Sequence, residues 1–129
     1  MHRWVEHTAE LELLIDAETE AGVFVEAAEA LSQLLGARME GEPARREVEV
    51  SAPDRPALLA EWLNELVFLS EQGFVPEGVV ALELGEAGLR ATVQGRAGEP
   101  RSLVKAVTYH RLQLELEGVR WHGRVVLDV

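Results

Sequence analysis

Two types of hydrophobic periodicity alternate along the chain. The segment ELELLID, residues 10–16, alternates apolar and acidic side chains, which predicts a half-buried strand. Residues 20–35 carry apolar side chains at helical spacing, with Thr19 in place to cap the helix and Gly36 to end it. A loop rich in glycine, proline and charged residues is predicted over 37–44.

The same two periods continue to the end of the chain. The remaining predicted elements are a strand over 46–52, a helix from Asp54 to Gly73, a hairpin over 79–84 and 89–94, and an extended pair over 103–117 and 119–129. The order of strand, helix, strand, helix and four strands favours an α+β fold. We expect a two-layer sandwich in which both helices pack on one face of a mostly antiparallel sheet.

The last pair of strands can be given a trial register. A two-residue loop at 117–118 places Asp128 opposite Val107. It also places Arg111 opposite Arg124, and because directly opposed like charges are unfavourable, this pair predicts a β-bulge in the hairpin.

Acidic residues at the two ends of the chain are the first candidate for chemistry. If the first predicted strand lies beside the last, Glu10 and Asp128 converge on the polar face of the sheet. Two carboxylates can ligate a hard divalent cation, but carbonyl groups and waters must complete its shell. His7 points away from Glu10 on an extended chain, so this pair by itself is a weak metal motif. A zinc site that includes His110 and His122 is disfavoured, because the trial register separates them onto opposite faces.

Composition restricts the class of protein further. The chain has 129 residues, of which 47% are hydrophobic and 27% charged, as expected for one compact domain over residues 1–129. The net charge of −11 argues against direct binding to nucleic acid or to an anionic membrane. There is no cysteine, signal peptide, membrane-length apolar stretch, phosphate-binding loop or nucleophile elbow, so we expect a cytoplasmic protein without thiol chemistry.

Five segments of the sequence carry a resemblance to a known family. In order along the chain they are HTAELEL, TEAGVFVEAAEAL, LLAEWLNELVFL, KAVTYHRL and the terminal VVLDV. Together they resemble the archease family over essentially the whole chain. The resemblance implies a small α+β protein that is not itself an enzyme and that activates an RtcB-type tRNA-splicing RNA ligase. It implies that the protein promotes guanylylation and multiple turnover of this ligase, its protein partner, and that it can broaden the nucleotide triphosphates the ligase uses.

The resemblance also implies a metal site, and a compact cluster of donors beside the cation held there predicts a contact surface. The metal site of the family corresponds to Glu10, Asp128 and the terminal Val129, and the ion usually associated with it is calcium. Archeases typically have aspartate at the position of Glu10, and the extra methylene moves the carboxylate by about 1.5 Å, a large distance beside a calcium–oxygen bond of about 2.3–2.6 Å. The residues expected to contact the ligase or a nucleotide are His7, Lys105, Tyr109 and His110.

Two other interpretations stay open at this point. One is a small metal-dependent hydrolase or transferase that uses the acidic pocket, with His110 or His7 as general base. The other is a structural interaction module in which the terminal acids serve only as caps or ion-pair partners. Metal titration of the isolated protein separates this module from the other two, and turnover of phosphoesters without any ligase would support the enzyme.

Overall fold

The structure is a computed structural model that describes residues 1–36 and 41–129. The elements of these residues are β1 (His2–His7), β2 (Glu10–Ala17), α1 (Glu20–Leu35), β3 (Pro43–Ser51), α2 (Arg55–Glu71), β4 (Phe74–Leu84), β5 (Gly88–Ala97), β6 (Ala106–Glu117) and β7 (Arg120–Asp128). Residues 37–40 of the predicted loop lie outside the described residues, and β3 begins within the rest of that loop. None of the described helices is long and apolar enough to cross a membrane.

The strands form two antiparallel sheets. One has four strands in the order β1-β2-β7-β6, and the other has three in the order β3-β5-β4. Both helices contact both sheets, α1 through β2 and β4, and α2 through β6, β3 and β4. The α+β class is therefore confirmed. The strands, expected in one mostly antiparallel sheet, are divided between two antiparallel sheets. Hydrophobic alternation alone does not encode this division.

The helix boundaries follow the predicted capping residues. The Thr19 hydroxyl accepts a hydrogen bond from the Gly22 N–H at 3.0 Å, and the Asp54 carboxylate accepts one from the Ala57 N–H at 2.8 Å. The first helix ends at Gly36, whose φ of 53° suits a glycine. Capping side chains thus determine where both helices begin, and the backbone conformation of Gly36 determines where the first helix ends.

One face of the four-stranded sheet contributes to the core. Leu13 on β2 and Val125 and Leu127 on β7 are fully buried together with the apolar faces of both helices. Between the helices, the Trp62 indole N–H donates to the Phe24 carbonyl at 2.9 Å, so the largest buried side chain has its polar atom satisfied. The opposite face carries the charged residues of β2 and β7 together with Leu14 and Val126, and Val126 is fully buried beneath them.

The first strand, β1, was not among the predicted elements. Its sequence, HRWVEH, lacks a regular alternation, and it forms because all six of its residues pair antiparallel with residues 10–15 of β2. The connection is a tight turn at Thr8 and Ala9, where Ala9 adopts a φ of 60°. A strand of this kind depends on its neighbour for stability, so its own sequence predicts it poorly.

The last hairpin corrects the trial register. Glu117 pairs with Arg120 around a turn at 118–119, so the loop lies one residue later than predicted. The register then shifts between Thr108 and Gln113, where residues 109–112 bulge out of β6. The predicted bulge is confirmed, but its size was not foreseen.

The later turn changes the partner of Arg124, and the turn and the bulge together change the partner of Asp128. Asp128 lies opposite Ala106 and not Val107, and Arg124 lies opposite Gln113 and not Arg111. The trial register failed because it assumed a turn one residue too early and continuous pairing beyond it. The apolar positions change phase across the bulge, from Val107 and Tyr109 to Leu112 and Leu114, but this change does not give the size of the bulge.

Candidate functional site

One row of residues crosses all four strands at the end of the larger sheet. His7 pairs with Glu10, Glu10 with Asp128, and Asp128 with Ala106. Residues directly opposite one another have their Cβ atoms about 4.5–5.5 Å apart and share a face. The predicted convergence of Glu10 and Asp128 is therefore confirmed, and it results from the pairing of β2 with β7.

The position of His7 differs from the sequence-based expectation. On a continuous extended chain His7 and Glu10 would point apart, but the turn at Thr8 and Ala9 folds β1 back so that the two residues become a cross-strand pair. His7 also has its Nε2 3.7 Å from Oε1 of Glu12. The expectation that His7 and Glu10 lie on opposite sides is thus wrong, because the chain reverses between them.

The C-terminus is held beside this row by backbone hydrogen bonds. The Val129 N–H donates to the Ala9 carbonyl at 3.3 Å, and the Lys105 N–H donates to the Asp128 carbonyl at 2.8 Å. Lys105 therefore joins Asp128 through its backbone, while its side chain is exposed. These bonds bring the terminal residue next to the carboxylates that the resemblance implicates in metal binding.

The donor set of this end of the sheet is suited to a hard cation. Glu10 and Asp128 are half-buried and offer carboxylate oxygens, as calcium prefers. Across residues 1–36 and 41–129, no group of three or more His, Cys, Asp or Glu side chains is placed to hold a metal ion. The residues fit calcium if backbone oxygens, that of Val129 among them, and waters supply the remaining ligands.

The bulge of β6 presents Tyr109 and His110 on the surface. The Tyr109 hydroxyl donates a hydrogen bond to Oε1 of Glu61 on α2 at 2.6 Å, although the residue is 54% exposed. This bond to a carboxylate raises the pKa of Tyr109 to about 12. His110 is exposed, and its N–H donates to the Thr108 hydroxyl at 3.3 Å. Tyr109 is thus oriented by α2, while the imidazole of His110 is open to a partner.

A second side chain of α2 holds the start of β6 in place. The Asn64 amide donates to the Val107 carbonyl at 3.0 Å, and its Oδ1 accepts from the Val107 N–H at 2.9 Å. Val107 directly follows Ala106, the residue opposite Asp128. The end of the row on β6 is therefore fixed by a helix and by a neighbouring strand.

A cluster of charged residues around Glu12 was missed by the sequence analysis. Glu12 is only 6% exposed, and its Oε2 lies 3.2 Å from Nη2 of Arg111 and 3.5 Å from Nε of Arg124. We call Glu12, His7, Arg111 and Arg124 the Glu12 cluster. The predicted opposition of the two arginines is replaced by shared contact with one carboxylate. The alternation of β2 correctly placed Glu12 on the polar face. It could not predict that Arg111 and Arg124, from other strands, fold over Glu12 and bury it.

Comparison with known proteins agrees with this architecture. The profile of the Archease protein family (MTH1598/TM1083) matches residues 2–129. The protein archease of Methanosarcina mazei is 34% identical, over 99% of this chain and 95% of that protein. The protein archease of Methanopyrus kandleri is also 34% identical, over 97% of this chain and 96% of that protein. The chain belongs to the archease family.

Two solved structures have the same fold. The solution structure of protein 1598 from Methanobacterium thermoautotrophicum superimposes with a TM-score of 0.73 at 28% identity, covering 99% of this chain and 98% of that one. The crystal structure of an archease from Thermotoga maritima, described as a possible chaperone, also gives a TM-score of 0.73 and covers 100% of this chain and 98% of that one. At 22% identity this second likeness shows the fold alone.

Proposed function

We propose that this protein activates an RtcB-type tRNA-splicing RNA ligase by promoting guanylylation of the ligase and so multiple turnover. The observation that carries the proposal is membership of the archease family over residues 2–129. The protein itself is not the catalyst in this proposal. It acts on the ligase as a protein partner, as part of tRNA processing in the cytoplasm, and it broadens the choice of nucleotide triphosphate.

The charge of the chain supports a protein partner over an RNA partner. A net charge of −11 repels a phosphate backbone, whereas it attracts the basic surface that an RNA-binding enzyme needs. Attraction of this kind accelerates a transient encounter more than it increases the final affinity. The charge is therefore consistent with repeated visits to a ligase and not with stable binding to tRNA.

We further propose that Glu10, Asp128 and Val129 hold a divalent cation, calcium in preference to zinc, beside the contact surface. The cross-strand pair of carboxylates and the tethered C-terminus support this assignment. When bound, such an ion supplies positive charge next to His7, Lys105, Tyr109 and His110. In this proposal these four residues contact the ligase or its nucleotide.

The proposed metal site can be tested through Glu10, whose side chain is one methylene longer than that of aspartate. Because archeases typically have aspartate there, we expect Glu10→Asp to tighten calcium binding. The measurement is the rise in melting temperature on adding calcium, compared between the two proteins. An equal rise, or none in either protein, would contradict the assignment of Glu10 as a ligand.

The direct test of the proposed function is ligase turnover with and without this protein. The ligase from the same organism, with GTP and manganese, is expected to pass from single to multiple turnover when the protein is added. Labelled guanylate is expected to accumulate faster on the ligase even without RNA. A guanylylation rate and a turnover number that do not change with a folded, metal-loaded sample would overturn the proposal.

Variants locate the activity on the surface. Asp128→Ala is expected to lose most of the activation and to keep the fold, because its side chain lies on the polar face and not in the core. Glu86→Ala is the matched control, since it removes one exposed carboxylate from the turn between β4 and β5, in the other sheet. Lys105→Ala is expected to lose activation with unchanged calcium binding, which would assign Lys105 to the ligase or nucleotide contact.

A further inference from the structure

The Glu12 cluster carries more positive than negative charge. One carboxylate faces two guanidinium groups, which stay protonated at any physiological pH. The two guanidinium groups and the one carboxylate therefore have a net charge of about +1, on a chain whose overall charge is −11. A positive site on so acidic a protein is a place where an anion can bind.

The arginines also keep most of their hydrogen-bonding capacity. Each guanidinium has five N–H donors. Oε2 of Glu12 and Nε of Arg124 are both buried, and neither has a hydrogen-bond partner among the described residues. The contacts of both arginines with that oxygen are therefore charge contacts without hydrogen-bond geometry. Glu12 holds the two guanidinium groups near each other without forming a hydrogen bond to either, and the donors that an anion can reach exclude the buried Nε of Arg124.

The two guanidinium groups are accessible from solvent. The side chains of Arg111 and Arg124 are 42% and 39% exposed. Arg124 also lines a cavity of about 580 Å³, whose wall holds Arg3 and three acidic side chains, those of Asp16, Glu115 and Glu117, so the anion site lies on the Arg111 side of Arg124 and not in this cavity. Arg111 reaches Glu12 from the bulge, where its own φ is 53°, an unusual value for a residue other than glycine. The bulge is what brings a second arginine over the sheet.

We propose that Arg111 and Arg124 form a binding site for a phosphate group, with Glu12 as their counter-charge. Paired guanidinium forks match the geometry of phosphate oxygens and bind them with two parallel hydrogen bonds. Glu10 and Asp128 lie in the next row of the same face and repel a bare anion. A divalent cation at those carboxylates removes this repulsion, so the site favours a phosphate that arrives with a cation, as in a nucleoside triphosphate. This assignment goes beyond activation of the ligase, and its preference for a cation-bearing phosphate rests on the divalent-cation site proposed above at Glu10 and Asp128.

Binding is tested on the isolated protein at low ionic strength. Inorganic phosphate and ATP are titrated separately, each with and without calcium, by calorimetry and by amide chemical shifts. We expect saturable binding with the largest shifts at Glu12, Arg111 and Arg124. ATP with calcium is expected to bind at least tenfold more tightly than inorganic phosphate alone. Binding of phosphate and ATP with equal affinity would show that the site takes a single free phosphate group and overturn the preference for a nucleotide.

Two variants distinguish a specific binding site from a general effect of positive charge. Removing both arginines, Arg111→Gln with Arg124→Gln, is expected to weaken binding at least tenfold. Arg90→Gln, which removes an exposed arginine that contacts Glu49 on the other sheet, is the matched control and is expected to leave the affinity unchanged. Unchanged affinity in the double variant, or shifts confined to other residues, would overturn the proposal.

Glu12→Gln distinguishes a role of Glu12 in phosphate binding from a purely structural role. Removing the carboxylate between the arginines is expected to tighten phosphate binding about tenfold, because the anion no longer competes with Glu12. If Glu12 serves only to stabilise the sheet, the variant lowers the melting temperature and leaves phosphate affinity as it was, which contradicts the proposal. Should this variant fail to fold, the arginine variants decide the question by themselves. Activation of the ligase is measured separately, so failure of one proposal does not imply failure of the other.

Discussion

Replacing Asn64 by alanine is expected to destabilise the protein through the edge of its larger sheet. β6 is the last strand in the order β1-β2-β7-β6, so one of its sides has no neighbouring strand. At Val107 the Asn64 carboxamide takes the place of that strand, donating to the carbonyl at 3.0 Å and accepting from the N–H at 2.9 Å. A side-chain amide can do this because it carries the same donor and acceptor as a peptide group.

The magnitude follows from how deeply these groups are buried. Val107 is only 4% exposed, so Asn64→Ala leaves a donor and an acceptor unpaired in a place that water reaches poorly. Each such group costs about 1–3 kcal/mol, and since Asn64 itself is half-buried, water recovers part of the loss. We expect the free energy of unfolding to fall by about 2–4 kcal/mol, a large part of the ~5–15 kcal/mol typical of a domain.

Urea denaturation measures this loss, and hydrogen exchange locates it. The Val107 amide is expected to exchange at least about thirtyfold faster in Asn64→Ala, as a local loss of about 2 kcal/mol requires. Asn64→Asp keeps the acceptor and loses the donor, so its effect is expected to lie between alanine and the parent. Glu65→Ala, one position further along the same helix, is the control for helix propensity and is expected to change stability by less than about 0.5 kcal/mol.

Two results would refute this role of the Asn64 carboxamide. If Asn64→Ala unfolds within about 0.5 kcal/mol of the parent and the Val107 amide keeps its protection, the carboxamide does not stand in for a strand. A global loss of stability without faster local exchange at Val107 would also contradict it, because the destabilisation would then arise elsewhere.

Four further outcomes are expected. Calcium at a hundredfold excess over its Kd should stabilise the protein by about 2.7 kcal/mol in thermal melts, and Asp128→Asn should abolish the effect. Electrophoretic mobility shift assays at physiological salt should show no tRNA complex without ligase, and a salt-sensitive complex at micromolar concentration would contradict this. Tyr109 is the only tyrosine, so phenolate absorbance should titrate with a pKa of about 12 and move toward 10.0 in Glu61→Gln. Because the pKa of Tyr109 is raised on folding, the stability that its hydrogen bond contributes is complete below pH 10 and is lost as the pH rises through about 12. An unchanged titration midpoint of Tyr109 in Glu61→Gln would refute the hydrogen bond to Glu61 as the cause. The hydrogen bond from His2 lowers the pKa of Glu26 in the folded protein, so the stability that this carboxylate contributes is present above about pH 4.5 and is lost as the pH falls through its lowered pKa. Glu26→Gln should therefore reduce the loss of stability at acid pH, measured by denaturation at a series of pH values.

Local features of the chain were predictable because they depend on neighbouring residues. Thr19 and Asp54 cap their helices in the structure as their side-chain chemistry predicts, and the alternation over 10–16 becomes β2. The convergence of Glu10 and Asp128 needed one more assumption, that the first predicted strand lies beside the last. That assumption is correct, and the archease motifs point to the same two residues.

The sequence by itself thus determined the α+β class, the helix boundaries, the polar face of β2 and the acidic pair. Only the tertiary structure decided the division into two sheets, the existence of β1 and the register of β6, because strand pairing depends on partners far away in the chain. The Glu12 cluster is the clearest example. Arg111 reaches Glu12 through a bulge of four residues. The apolar positions change phase across this bulge, from Val107 and Tyr109 to Leu112, Leu114 and Leu116, but a change of phase does not show which distant side chain Arg111 will contact.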